Sequence, residues 1–275
     1  MKEEKNSIIV SKNDQIKVSE ELIENSRLTY VFYVMLVFST IIVTLGLLID
    51  NYVAIIGGML ITPLLTPILT IALGVVLADK TLIFRSSKIF LKSFLIIILV
   101  SFLFSFLFPV DHLNGEIHAR LESNILFFLI AFVAGMAGTF AWTKKNMSEV
   151  LPGVAIAVSL VPPACVLGIG ISYFDLNIIR GSFVSFLLNL LGIIFGSVVI
   201  FSLLNFHKVK KETVKVVKQE IREDQRIKDE KIKKEIVAEI KIEKEVTEDI
   251  KKEVIKEVEE EIKKNLSKIK KKTKK

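Results

Sequence analysis

Four prolines, three threonines and one asparagine, all set among apolar residues, are the groups whose types and spacing suit chemistry. Pro63 and Pro67 interrupt the stretch Gly57 to Asp79 (GGMLITPLLTPILTIALGVVLAD), and Pro162 and Pro163 interrupt Leu151 to Tyr173 (LPGVAIAVSLVPPACVLGIGISY). The stretches share a design, because Gly58 to Pro67 and Gly153 to Pro162 are both nine-residue steps. A helix-interior proline lacks an N–H and clashes with the carbonyl four residues back, which frees the carbonyls of Met59, Pro63, Val158 and Ser159. Pro163 is also expected to push Pro162 away from helical angles. In hydrocarbon, freed carbonyls persist only where protein or a wet cavity satisfies them. Beside them, Thr62, Thr66 and Thr70 share one face if the helix persists through them. Asn189, in the run FVSFLLNLLGIIFG, carries an amide that must find partners and cannot face lipid. Neutral oxygens gathered in this way can replace water around an ion or small polar solute. The expected site is therefore Met59, Thr62, Pro63, Thr66, Pro67, Val158, Ser159, Pro162, Pro163 and Asn189. Each also has a plainer use: prolines kink membrane helices, threonines bond back to their own helix or glue it to a neighbour, and an asparagine can lock two helices together.

The elements that must position these residues are membrane spans, since a span needs about 20 mostly apolar residues and several such runs occur. Spans are expected at 30–49, 52–78, 89–109, 124–142, 150–172 and 181–205. The fold class is thus an all-α integral membrane protein of six transmembrane helices. A polar segment (1–29) precedes the membrane domain (30–206, repeats about 30–109 and 124–205), and a charged helical or coiled-coil tail (207–275) follows. The polar segment is too charged and too long before the first apolar run to look like the start of a cleaved signal peptide.

Basic residues in short loops set the orientation. Lys2, Lys5, Lys12, Lys17 and Arg27, then Lys80, Arg85, Lys88 and Lys92, then Lys144 and Lys145 fall on one side, whereas Arg120 and Arg180 alone fall on the other. Both termini are therefore expected in the cytoplasm, in the plasma membrane of a prokaryotic cell. With three spans per half, the second half enters the membrane from the opposite side, so the halves form an inverted repeat. Each half runs plain span, Pro-broken span, plain span. In secondary transporters this pattern places substrate and ion sites at broken helices near the midplane.

No ionisable residue lies at the centre of an expected span, which argues against a proton pump built on buried carboxylates and against a voltage sensor. The outer loop clusters Asp111, His112, Glu116, His118, Arg120 and Glu122, but its spacing matches no HExxH pattern and suits a solvated loop better than a metal site. An enzyme is not expected: there is no zinc-protease signature, no Gly-rich phosphate loop and no Ser/His or Cys/His combination within the membrane, and no cofactor is implied. The one cysteine, Cys165, excludes an intrachain disulfide and reads as a small buried side chain. Gly192 and Gly196 form a GxxxG, a hint of close helix packing.

The whole net charge of +7 sits in the tail: residues 1–206 hold 13 basic and 13 acidic residues, and 207–275 hold 24 and 17. Without Gly or Pro, and dominated by Lys, Glu, Ile and Val, the tail is expected to be one long helix. Its apolar positions from Ile232 to Ile269 recur about every 3.7 residues, which suits a nearly straight or slightly right-handed coiled coil. It fits either an oligomerising stalk of several identical subunits, favoured by the continuous stripe, or a single solvated helix held by its charge pairs. The eight lysines of 263–275 suit anionic lipid, or equally a solubilising end; nucleic acid is not expected as a partner.

Three stretches carry a family resemblance: MLITPLLTPI at 59–68, LPGVAIAVSLVPPACVLG at 151–168 and LLNLLGI at 187–193. They resemble the prokaryotic hydrophobic-domain family known as domain of unknown function 389, over about residues 30–205. The resemblance implies a multi-span membrane domain of uncharacterised activity, with Pro63, Pro67, Pro152, Gly153, Pro162, Pro163 and Asn189 at the family's signature positions. Thr62 stands where members often show Ser, and Thr66 where they often show Gly.

Overall fold

A polar residue precedes and caps six of the described helices. In the computed structural model the described residues are 10–27, 29–110, 115–121, 124–144 and 160–219, followed by 221–222, 225–227, 229–230 and 232–233. Every regular element among them is helical. Two units are present, Met1–Val217 and Lys218–Lys275. In the second, the described residues up to 233 are all helical, and the apolar stripe expected beyond them lies outside the described residues.

The first unit runs α1 (Lys12–Asn25), α2 (Tyr30–Leu48), α3 (Tyr52–Leu60), α4 (Leu65–Val76), α5 (Lys80–Leu107), α6 (Gly115–Ala119), α7 (Ile125–Thr143), α8 (Val161–Ser172) and α9 (Leu176–Leu203), then a 3-10 turn at Phe206–Val209. Thr29, Asn51, Asp79, Asn124 and Asp175 cap α2, α3, α5, α7 and α9 by accepting from backbone N–H groups of the first turn. Four helices, α2, α5, α7 and α9, are long and apolar enough to cross a membrane. The bent pair α3–α4 makes up to five. The second half of the span expected at 150–172 is α8, of 12 residues; its first half lies outside the described residues. Helices α5 and α9 begin at Lys80 and Leu176 rather than at 89 and 181, because their aspartate caps, not the edges of the apolar runs, start the helix.

Two units of equal dimensions stand out. In each, a 12-residue helix (α4 or α8) leads through a three-residue turn into a 28-residue helix (α5 or α9). Pro67 and Pro163 are each the third residue of the short helix, and Gly74 and Gly170 the tenth. The turns match too. Asp79 N–H donates to the Gly74 carbonyl and Asp175 N–H to that of Gly170, while Ala78 (φ 47°) and Phe174 (φ 53°) both take left-handed angles. A β-carbon on either glycine would crowd the long helix that follows, 2.9 Å from Ile83 Cγ1 or 2.7 Å from Ile178 Cγ2. The units pack reciprocally, α8 on α5 and α4 on α9. Phe90 and Phe186, each the eleventh residue of its long helix, stack across the molecule at 6.1 Å, and Phe94 stacks on Phe186 at 4.3 Å. Ala78 is exposed and its left-handed angle is one that suits glycine. Ala78→Gly is therefore expected to raise stability by about 0.5 kcal/mol, read as a higher midpoint in a detergent melt.

A helix forms where only a polar segment was expected. Ser11 accepts from Asp14 N–H to start α1, whose buried residues Gln15, Val18, Ser19, Leu22 and Ile23 follow helical spacing along one face. That face packs on α4 and on the 3-10 turn. Gln15 Nε2 donates to the carbonyls of Leu204 (2.8 Å) and Val10 (3.3 Å), and Lys12 pairs with Glu212 at 2.9 Å.

Candidate functional site

Pro63 ends α3 and Pro67 sits in the first turn of α4, and the two helices meet at 54°. Without the prolines, Thr62, Pro63 and Pro67 would donate to the carbonyls of Gly58, Met59 and Pro63. Instead Ser39 of α2 donates to the Gly58 carbonyl at 2.8 Å, Thr62 N–H turns to Met59 at 3.4 Å, and the Thr66 hydroxyl reaches Pro63 at 3.1 Å. The Met59 and Pro63 carbonyls, expected to be free for a ligand, thus have donors. The break carries its own repairs, as a buried carbonyl requires.

The three threonines do not share a helical face, because α3 ends at Leu60 and α4 begins at Leu65, which leaves Thr62 outside both helices. Thr66 and Thr70 lie on α4 and turn to α1: Thr66 Oγ1 donates to Asn25 at 3.3 Å, and Thr70 Oγ1 to Leu22 at 3.1 Å and to Thr66 at 2.8 Å. Thr62 differs. Its Oγ1 is buried with no hydrogen-bond partner, two residues before Leu64, which precedes α4 and supplies no side-chain cap. The first N–H groups of α4 therefore have no side-chain acceptor at the place where the chain leaves an orphan hydroxyl.

Pro162 and Pro163 stand in the first turn of α8, not in a helix interior, and Pro162 is helical rather than displaced from helical angles. A first-turn proline has no N–H to lose, so the pair starts α8 cleanly. The Val158 and Ser159 carbonyls, with Pro152 and Gly153, lie outside the described residues. Met59, Leu64, Leu160 and Val161 belong to one buried apolar cluster, which joins the break after α3 to the start of α8. Asn189, 8% exposed, lies on α9, which packs against both α8 and α4.

Sequence reasoning passes over two features. One is α1, whose backbone carbonyls take up the Thr66 and Thr70 hydroxyls. The other is Thr139 on α7, fully buried, whose hydroxyl has no partner. Its only signal is a hydroxyl in an apolar span, at the place in α7 that Thr44 holds in the equally long α2. In the outer loop Arg120 pairs with Glu116 at 2.9 Å, and Glu116 N–H donates to Asp50 at 3.0 Å; Asp111, His112 and Glu122 lie outside the described residues. Among the described residues no His, Cys, Asp and Glu group is set to hold a metal.

Among the described residues every regular element is helical, and four or five apolar helices of membrane-crossing length, one of them broken, have the build of a helical membrane protein. Residues 59–195 match the family model described as "Domain of unknown function (DUF389)", and this stretch of the chain belongs to that family. The "Uncharacterized protein MJ0678" of Methanocaldococcus jannaschii is 33% identical over 170 residues, which are 61% of this chain and 52% of that protein. The chain thus spans about half the length of this curated relative. No solved structure matches.

Proposed function

We propose that the chain is a membrane transporter or channel, not an enzyme, for an inorganic ion or small polar solute, with its site at the broken helices near the membrane midplane. One observation carries this reading: an apolar span is broken at 54°, and beside the uncapped end of α4 it leaves the buried Thr62 hydroxyl unpartnered. In the family of arrangements that transport by rocking one repeat against another, broken helices present such atoms to the solute. The equal, reciprocally packed units support two inverted repeats of three spans each; the basic loops favour both termini in the cytoplasm of a prokaryotic cell, and the tail would join identical subunits. Thr62, the backbone of Pro63 and Pro67, Asn189 and the Val158–Ser159 carbonyls would surround the solute.

The test is flux in proteoliposomes of the full chain, with sodium, rubidium and chloride tracers. Thr62→Val and Asn189→Leu, in protein that still runs as the wild type on size exclusion, are expected to reduce uptake about tenfold, a loss near 1.4 kcal/mol. Wild-type uptake in both variants would refute the assignment.

A second reading is favoured by the engagement of Thr66 and Thr70 with α1. The membrane domain would then be a scaffold or sensor, its threonines structural glue, its tail the oligomerising or recruiting element. That reading expects function to disappear with residues 207–275, whereas transport survives their removal.

A further inference from the structure

Helix α5 has 28 residues, roughly 42 Å at 1.5 Å per residue, while the hydrocarbon core spans about 30 Å. The excess of about 12 Å is roughly two turns, so the start of the helix, with Lys80 and Arg85, can project beyond the hydrocarbon, while Lys88 and Lys92, in the third and fourth turns, lie near its edge within snorkelling reach of the headgroups. Lys80, Phe84, Lys88, Leu91, Lys92, Leu95 and Leu99 are all exposed and fall within one third of the helix circumference at 100° per residue. Ser86, Ile89, Ser93 and Ile97 are buried on the other side. The three lysines thus share the stripe of α5 that is turned away from the protein, with the half-buried Arg85 beside it, at the end where this stripe meets the headgroups.

Lys88 Nζ lies 4.3 Å from the Phe84 ring centre, and among the described residues neither Lys88 nor Lys92 is in an ion pair. Four residues apart on a helix, their stems start about 6 Å from each other, so two ammonium groups can share one phosphate. Helix α9 supplies an internal control. At the corresponding places of this equally long helix stand Leu176, Gly181, Val184 and Leu188, without a charge. Length and packing alone therefore do not demand the cations: α9 carries one, Arg180, in its first two turns, where α5 carries Lys80 and Arg85 and follows them with Lys88 and Lys92.

We propose that the first turns of α5 form a binding surface for an anionic phospholipid, its phosphate held between Lys88 and Lys92 and its acyl chain laid along Leu91, Leu95 and Leu99. The proposal rests on the bilayer placement of α5 but not on transport. Juxtamembrane lysines attract anionic headgroups one by one, and a pair on a single lipid-facing stripe concentrates that attraction at one place.

The full chain, purified in detergent, is titrated with dioleoylphosphatidylglycerol and with dioleoylphosphatidylcholine and read by native mass spectrometry. The wild type is expected to retain the anionic lipid preferentially. Lys88→Gln with Lys92→Gln is expected to reduce that preference by roughly fivefold per lysine. Lys211→Gln with Lys215→Gln, which removes equal charge from exposed helix positions after the last span, leaves it unchanged, and Lys88→Arg with Lys92→Arg keeps most of it. An unaltered preference in the glutamine pair at α5, or an equal loss in the control pair, overturns the proposal. A chain recovered without detergent from the soluble fraction would instead overturn the membrane placement, which is a separate failure.

Discussion

Gly196→Leu is expected to abolish recovery of folded protein, and Gly196→Ala to lower its stability by about 3 kcal/mol, the upper end for overpacking a well-packed contact. A β-carbon at Gly196 would fall on the Phe132 carbonyl oxygen of α7 and lie 3.0 Å from Met136 N. One turn back, Gly192 would meet Phe128 O at 2.7 Å and Ala131 Cβ at 2.8 Å; from the other helix, Gly135 would meet Ile193 O at 2.5 Å. Most of these neighbours are backbone atoms, which cannot swing aside as a long side chain does. The helices would have to separate along their whole contact, and Ser197 would lose its 3.4 Å bond to the Gly135 carbonyl. Separation is costly in a bilayer, where lipid tails are as apolar as leucine and close van der Waals contact is much of what holds helices together. Gly57 is the control, since nothing lies within 4 Å of its β-carbon position, and Gly57→Ala should stay within about 0.5 kcal/mol of the wild type. The single tryptophan, Trp142, lies on α7 and reports the melt by its fluorescence. If Gly196→Ala melted with the wild type, α7 and α9 would not be in this contact.

The GxxxG that predicts this contact was legible because glycine in a long apolar run has few uses other than close approach. The break at Pro63 and Pro67 was legible for a similar reason: two prolines four apart cannot both be absorbed by one straight helix. The limits of that logic show at Pro162 and Pro163. A missing N–H ends a helix that precedes it and suits a helix that follows it, so proline alone does not say on which side the helix lies. Helix α1 was harder. Two of its five buried positions are Gln15 and Ser19, polar residues whose groups bond to the Leu204, Val10 and Gln15 carbonyls, so composition hides a regular stripe. The signal was at its start, where Ser11 is followed three residues later by Asp14. The fate of the carbonyls at the break was beyond sequence altogether. Ser39 reaches Gly58 across 19 residues and Asn25 receives Thr66 across 41, and only the packing of α1 and α2 on the broken pair decides such partners.

Those partners make Thr66 and Thr70 the place where the two functional readings can be separated. Each hydroxyl shares its one proton between a carbonyl in the last turn of α1 and a nearer local carbonyl, that of Pro63 for Thr66 and that of Thr66 for Thr70, and a buried hydrogen bond contributes about 1 kcal/mol. Valine keeps the shape of threonine and removes the donor. Thr66→Val with Thr70→Val should therefore weaken the docking of α1 by about 2 kcal/mol, which multiplies its opened population about 30-fold. Trypsin reads that population through Lys17 on α1, because cleavage follows the open fraction when opening is fast. A cleavage rate equal to the wild type would mean that the hydroxyls do not hold α1. If cleavage rises and tracer flux persists, the two threonines are fasteners and solute contact narrows to Thr62 and Asn189. If flux falls well beyond what the opening of α1 accounts for, the same hydroxyls serve both the helix and the solute. That outcome would make the α1 carbonyls the occupants a solute must displace, and it would tie the state of the first helix to the state of the site.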